Sequence, residues 1–170
     1  IFGGTSTGRI LEATCQFDDP NWTSASVPGL RFCGQAKHDV PFITTFKLSG
    51  TYPLPWGFRL SGVFQSVLGE ESVINYLVNR AIVPTLTQAQ VTVRLNEPGS
   101  EYLDRNNQLD LSVAKTFQIG RVKLKPQLDL FNALNVSPVV SQVNTFGSSL
   151  GRPLRVLDPR LLRLGVQMEF

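Results

Sequence analysis

Charge is scarce in this chain: Asp, Glu, Lys and Arg make up 17% of its 170 residues, against about a quarter in an average soluble domain. The formal net charge is only +3, too small and too evenly spread for a nucleic-acid surface, so no nucleic-acid partner is expected. Histidine occurs once and cysteine twice, which leaves little material for a metal centre. Cys15, Cys33 and His38, with the loop acids Asp18, Asp19 and Asp39, do not assemble a ligand set. No glycine-rich phosphate loop is present. His38-Asp39 has no nucleophile elbow to serve. Asp104-x-Asn106-x-Gln108 lacks the glycine and glutamate that a calcium loop needs. Neither an enzymatic site nor a cofactor or metal is therefore expected. No uninterrupted apolar run approaches the ~18 residues of a membrane-spanning helix. The start, Ile1-Phe2-Gly3-Gly4, has neither an initiator methionine nor a signal peptide, as expected of a piece of a longer or processed chain.

What the chain does have is aromatic and β-branched content in strict period-two order. Eleven Phe, two Trp and three Tyr argue against disorder. At the end of the chain, Arg160, Leu162, Leu164, Val166, Met168 and Phe170 share one parity. Leu161, Arg163, Gly165, Gln167 and Glu169 share the other. Leu109, Leu111, Val113 and Phe117 oppose Asp110, Ser112, Ala114 and Thr116, with Lys115 interrupting the apolar parity. Val122, Leu124, Pro126, Leu128 and Leu130 oppose Lys123, Lys125, Gln127 and Asp129. Upstream, Phe42, Phe46, Leu48 and Tyr52 oppose Lys47, Ser49 and Thr51; Phe58, Leu60, Gly62 and Phe64 oppose Arg59, Ser61 and Gln65. Alternation of this kind marks half-buried strands, and these runs are about twice the usual strand length of five to six residues. Gly3 to Arg9 reads as the tail of one more strand, giving about six.

The connections alternate in length. Pro53-Leu54-Pro55-Trp56 and Gln118-Ile119-Gly120 are tight turns. The links over roughly 10–40, 67–106 and 133–159 are long. Within the second, Val73, Ile74, Leu77, Val78 and Ala81 fit a short helical face, and Ile74, Tyr76 and Val78 fit a strand equally well, which leaves residues 70–100 open. No internal repeat or low-complexity segment is present.

A strand crossing a bilayer needs about 9–11 residues, and its backbone must pair with neighbours until the sheet closes. Lipid on one face and lumen on the other produce apolar-out, polar-in alternation, with short periplasmic turns and long extracellular loops. The sequence therefore predicts an all-β fold: an antiparallel transmembrane β-barrel segment of about six long strands. Tyr52, Trp56, Phe58, Phe117 and Phe170 fall at the level of the short turns, where an interfacial aromatic girdle belongs. The lumen-facing set is Lys47, Arg59, Gln65, Asp110, Lys123, Lys125, Gln127, Asp129, Arg163, Gln167 and Glu169, residues expected to solvate a wall rather than form a dedicated site. Lys115 and Arg160 lie on the lipid parity but near strand ends, where they can snorkel. Pro126 lies mid-strand, where a bulge would accommodate it. Two other readings share parts of this pattern: a small porin-like outer-membrane barrel, and a soluble extracellular β-sandwich acting as a binding module.

Specific motifs resemble a known family. Arg163-Leu164-Gly165-Val166-Gln167-Met168-Glu169-Phe170 resembles the C-terminal β-signal of outer-membrane proteins, with Arg163, Gly165 and Phe170 on the pattern and Met168 in place of its first aromatic. Asp104-Arg105-Asn106-Asn107-Gln108-Leu109-Asp110-Leu111, followed by Lys115-Thr116-Phe117, resembles the third-from-last strand of TonB-dependent receptors. Asp129-Leu130-Phe131-Asn132-Ala133-Leu134-Asn135 resembles their penultimate strand, and Pro159-Arg160 their lead into the last. Ser6-Thr7-Gly8-Arg9, the cysteine pair and Gly62-Val63-Phe64-Gln65-Ser66 extend the match over essentially the whole chain. It is closest to large receptors carrying a carboxypeptidase-regulatory-like N-terminal domain.

The resemblance implies the end of a barrel of about 22 strands filled by a plug, in the bacterial outer membrane. The plug and its TonB-binding box are not in this sequence. Implied partners are outer-membrane lipid, the rest of the barrel and plug, the TonB system through that plug, and the barrel assembly machinery. The implied activity is energised uptake of a siderophore, vitamin, carbohydrate or peptide. In that compartment Cys15 and Cys33 would form a disulfide across a loop. Asn21-Trp22-Thr23 and Asn135-Val136-Ser137 match the glycosylation pattern but would be silent. Trp22, Tyr76, Tyr102 and Phe146 are loop aromatics that could meet a ligand from outside.

Overall fold

The computed structural model describes residues 1–11, 32 and 34–170. Among the described residues eleven strands occur in chain order: β1 (Phe2–Gly8), β2 (Ile43–Pro53), β3 (Phe58–Val67), β4 (Asn75–Asn79), β5 (Gln90–Arg94), β6 (Asn106–Lys115), β7 (Phe117–Ile119), β8 (Val122–Phe131), β9 (Val139–Gln142), β10 (Pro153–Val156) and β11 (Leu161–Glu169). Two 3-10 turns, Gln35–Lys37 and Pro55–Gly57, occur among the described residues. No helix is long and apolar enough to cross a membrane.

The protein is all-β and antiparallel. The main sheet runs β1-β2-β3-β6-β8-β11, with β7 continuing the β6 edge against β8. Six long segments thus follow one another as neighbours, and β1 is the additional strand expected over Gly3 to Arg9. Residues 70–100, which fitted either helix or strand in the sequence, contain the β4–β5 hairpin. A second outlying hairpin pairs β9 with β10. Among the described residues the sheet does not close: β1 and β11 each pair on one side only.

Local sequence explains the two tight turns. Trp56 and Gly57 both adopt left-handed φ, 63° and 77°, and the Leu54 amide donates to the Phe58 carbonyl at 2.8 Å. A side chain at Gly57 would stand 3.0 Å from the Thr116 carbonyl oxygen, so this corner needs glycine on both counts. Gly120 (φ 63°) occupies the first of two residues joining β7 to β8, a position that favours glycine in hairpins.

Pro126 corrects one expectation. No bulge surrounds it: Val166 opposes it in an unbroken β8–β11 register. The β6–β8 ladder instead stops at Ala114–Gln127 and resumes at Phe117–Leu124 in the same register. Proline has no N–H to give, so the ladder lapses there without any shift. Across the gap, the Thr116 amide donates to Gly57 O at 3.0 Å on the opposite side. The apolar run Leu109–Phe117 is therefore two strands, not one.

Cross-strand register puts the two parities on separate faces. Rows such as Tyr52–Leu60–Val113–Leu128–Leu164 and Gly50–Gly62–Leu111–Leu130–Leu162 form the apolar face. Thr51–Ser61–Ser112–Asp129–Arg163 runs across the other. Among the described residues no second layer covers the apolar rows. Leu164 is 79% exposed and Leu128 41% exposed, and strand contacts concentrate between hydrogen-bonded neighbours. Among the described residues only Val40 and Ala114 are buried apolar side chains. A β-sandwich would bury one face of each sheet against the other; here that inter-sheet core is missing.

Candidate functional site

The polar face is built around one buried carboxylate. Asp129, on β8, is 5% exposed. Arg163 reaches it from β11, with Nε donating at 2.9 Å and a second guanidinium nitrogen at 2.8 Å. Gln127 Nε2 donates to its other oxygen at 2.6 Å. A guanidinium fork on a carboxylate fixes relative strand position as well as charge. The same guanidinium lies 5.1 Å from the Phe131 ring centroid.

Further rows continue this surface toward the long loops. Gln65 Nε2 donates to Gln108 Oε1 at 3.1 Å, and Gln108 Nε2 reaches Asp110 Oδ1 at 3.1 Å. Lys47 stands opposite Gln65. Toward the tight turns, Arg59 stands opposite Ala114, Lys125 opposite Gln167 and Lys123 opposite Glu169. All the residues assigned to the lumen-facing set therefore share one face of one sheet.

The turn-side aromatics gather around a cation. Lys115 Nζ lies 4.6 Å from the Phe58 ring centroid and 4.7 Å from that of Phe117. Lys115 interrupts the apolar parity in sequence, yet its ammonium is held between two rings on the same face, a cation–π arrangement. Tyr52, Trp56 and Phe170 are exposed at this end of the sheet. In the C-terminal motif, Gly165 opposes Gln127, Met168 opposes Leu124, and Phe170 follows the last paired residue.

At the opposite end, the sequence reading missed the residues that organise the loops. Asn132 is 2% exposed with φ 49°. Its amide nitrogen Nδ2 donates to Val136 O (2.8 Å) and Asp158 O (3.0 Å), while Oδ1 accepts from Val136 N at 3.0 Å. The Asn132 backbone N–H donates to Asp110 Oδ1 at 2.8 Å. Asn135 Oδ1 accepts from the Arg160 amide at 3.1 Å. The loop from 132 to 160 is thus pinned at both ends by two asparagines in left-handed backbone, a conformation Asn tolerates. Arg105 Nη1 likewise caps the loop ends of β2 and β3, donating to Thr44 O at 2.9 Å and Ser66 Oγ at 3.3 Å. The signals were visible as polar residues inside strand-ending motifs, but only the fold shows whom they meet.

The two outlying hairpins meet each other. Asn75 N donates to Asn144 O at 2.7 Å, and Phe146 N to Asn75 O at 2.8 Å. Tyr76 and Phe146 stack edge to face with centroids 5.9 Å apart. Gln142 Nε2 donates to Ser72 Oγ at 2.9 Å. Beneath them Glu71 pairs with Arg94 and accepts the Gly99 amide. Tyr102 lines the same recess of about 350 Å³. Burial, and secondarily the Glu71 charge, raise the Tyr102 phenol above its ordinary pKa, against the lowering effect of Arg94. Of the four loop aromatics, Tyr76 and Phe146 are therefore engaged with each other. Trp22 and the Cys15–Cys33 pairing lie outside the described residues.

No family model matches the chain, nor does any curated protein or solved structure.

Proposed function

We propose that this chain is the C-terminal barrel segment of a TonB-dependent outer-membrane receptor, serving as wall, outer loops and closing strand for energised uptake of a scarce nutrient. The observation that carries this reading is the uncovered apolar face. Strands of 9 to 11 residues present Leu, Val and Phe on one side with no layer of the described residues against them, and a hydrogen-bonded polar surface on the other. Apolar area on this scale needs a partner, and strand length matches a bilayer crossing. The division between tight turns at one end and loops with their own hairpins at the other supports the same orientation. The free edges of β1 and β11 are what a segment of a larger closed sheet presents. The family-specific part rests on the motif resemblance, and the β11 sequence is the part of it that assembly machinery would read.

An epitope placed after Ser149 in the intact protein tests the topology, with a second placed after Gly120. Antibody is expected to reach the first on whole cells and the second only after the outer membrane is permeabilised. Recovery in the soluble fraction, or equal access to both, would sink the reading. Uptake in a host lacking TonB then separates receptor from porin-like barrel: it is lost in the first and kept in the second.

A further inference from the structure

We infer that the turn-side end of the polar face carries a binding site for the phosphate group of a small soluble ligand. Arg59 on β3 and Lys123 and Lys125 on β8 converge on one recess of about 190 Å³, shared with Thr116, Gln167 and Glu169. Among the described residues none of the three cations forms an ion pair or a hydrogen bond. The nearby carboxylates are otherwise engaged or outnumbered: Asp129 is committed to Arg163, and Glu169 accepts from Gln167 Nε2 at 3.3 Å. Three cations against the single Glu169 leave the recess at +2.

The fold itself makes the space. The row Arg59–Ala114–Gln127–Gly165 alternates long and small side chains, with Ala114 between Arg59 and Gln127 and Gly165 beyond Gln127. The β6–β8 ladder lapses beside Thr116, the residue register would place against Lys125. Lys125 is half-buried, so part of its hydration is already lost. Unpaired like charges held together repel one another, and an anion relieves that repulsion. A phosphate group carries about −1.5 to −2 charge near neutral pH and offers several acceptor oxygens to one planar guanidinium and two ammonium groups. The site does not depend on the transport proposal, since it uses only the polar face.

The test is calorimetric titration of inorganic phosphate into the intact protein at constant ionic strength, with short-chain phosphatidic acid as a second arm. Saturable phosphate binding is expected, weakened about fivefold by each of Arg59→Gln and Lys125→Gln, strengthened by Glu169→Gln, and unchanged in Lys47→Gln. Lys125→Arg should restore it, which separates loss of charge from loss of fold. Absence of saturable binding, or equal affinity in the Arg59→Gln/Lys125→Gln double variant with β-content intact, would overturn the inference. Binding of phosphatidic acid with none of inorganic phosphate would overturn the soluble-ligand assignment in favour of a lipid headgroup.

Discussion

In the seven-stranded main sheet, main-chain ladders between neighbours do most of the holding, and large apolar side chains point away from the protein. In the loop-end assembly of β4–β5 with β9–β10, strands are only four or five residues long, and specific polar contacts take over. Asn132, Asn135 and the Glu71–Arg94 pair hold backbone segments through side-chain contacts, and Asn75 holds residues 144 and 146 through its own main chain. A sheet can leave one face bare if something outside the chain solvates it, because its backbone groups are already satisfied. Loops lack that security, so buried side-chain hydrogen bonds must fix them.

The contrast can be broken most sharply on the apolar face. Leu128→Arg should destabilise the intact protein by about 2–4 kcal/mol in a bilayer. Gln65→Arg, on the polar face, should change stability little. Denaturant unfolding in lipid vesicles measures both, and equal effects would remove the distinction between the faces. A smaller change is expected at the loop anchor. Asn132→Ala forfeits three side-chain hydrogen bonds and puts alanine at φ 49°, at a cost of about 2 kcal/mol. The cost should fall on residues 132–160, read as faster amide exchange there with the sheet unaltered. Asn132→Gly should recover the backbone share alone.

The smallest effect concerns pH. A phenol whose pKa is raised in the folded state contributes stability fully present below its unfolded value, near 10. That contribution is lost as pH rises through the folded value. Protection of the β4–β5 amides, taken relative to their hydroxide-catalysed intrinsic exchange, should therefore fall above pH 10, and Tyr102→Phe should flatten that fall. A steep dependence that survives Tyr102→Phe would assign it to another group.

Alternation alone made the five main strands legible, because a period of two follows from backbone geometry wherever the two faces meet different surroundings. The tight turns were legible for a similar reason, since glycine and proline state their own φ requirements. Residues 70–100 were not, because short apolar stretches satisfy helix and strand periods equally, and pairing with Gln90–Arg94 settled the matter. Pro126 was read as a bulge because sequence shows a missing donor but not which neighbour needed it.

For the site, the sequence by itself determined which residues share a face: Arg59, Lys123, Lys125 and Asp129 could be grouped by parity alone. Tertiary structure decided the rest, namely that Asp129 is neutralised by Arg163 across a strand boundary while Arg59, Lys123 and Lys125 find no partner among the described residues. Parity is a property of one strand, set by its own backbone. Pairing depends on which strands become neighbours and in what register, and that is chosen by the whole sheet at once.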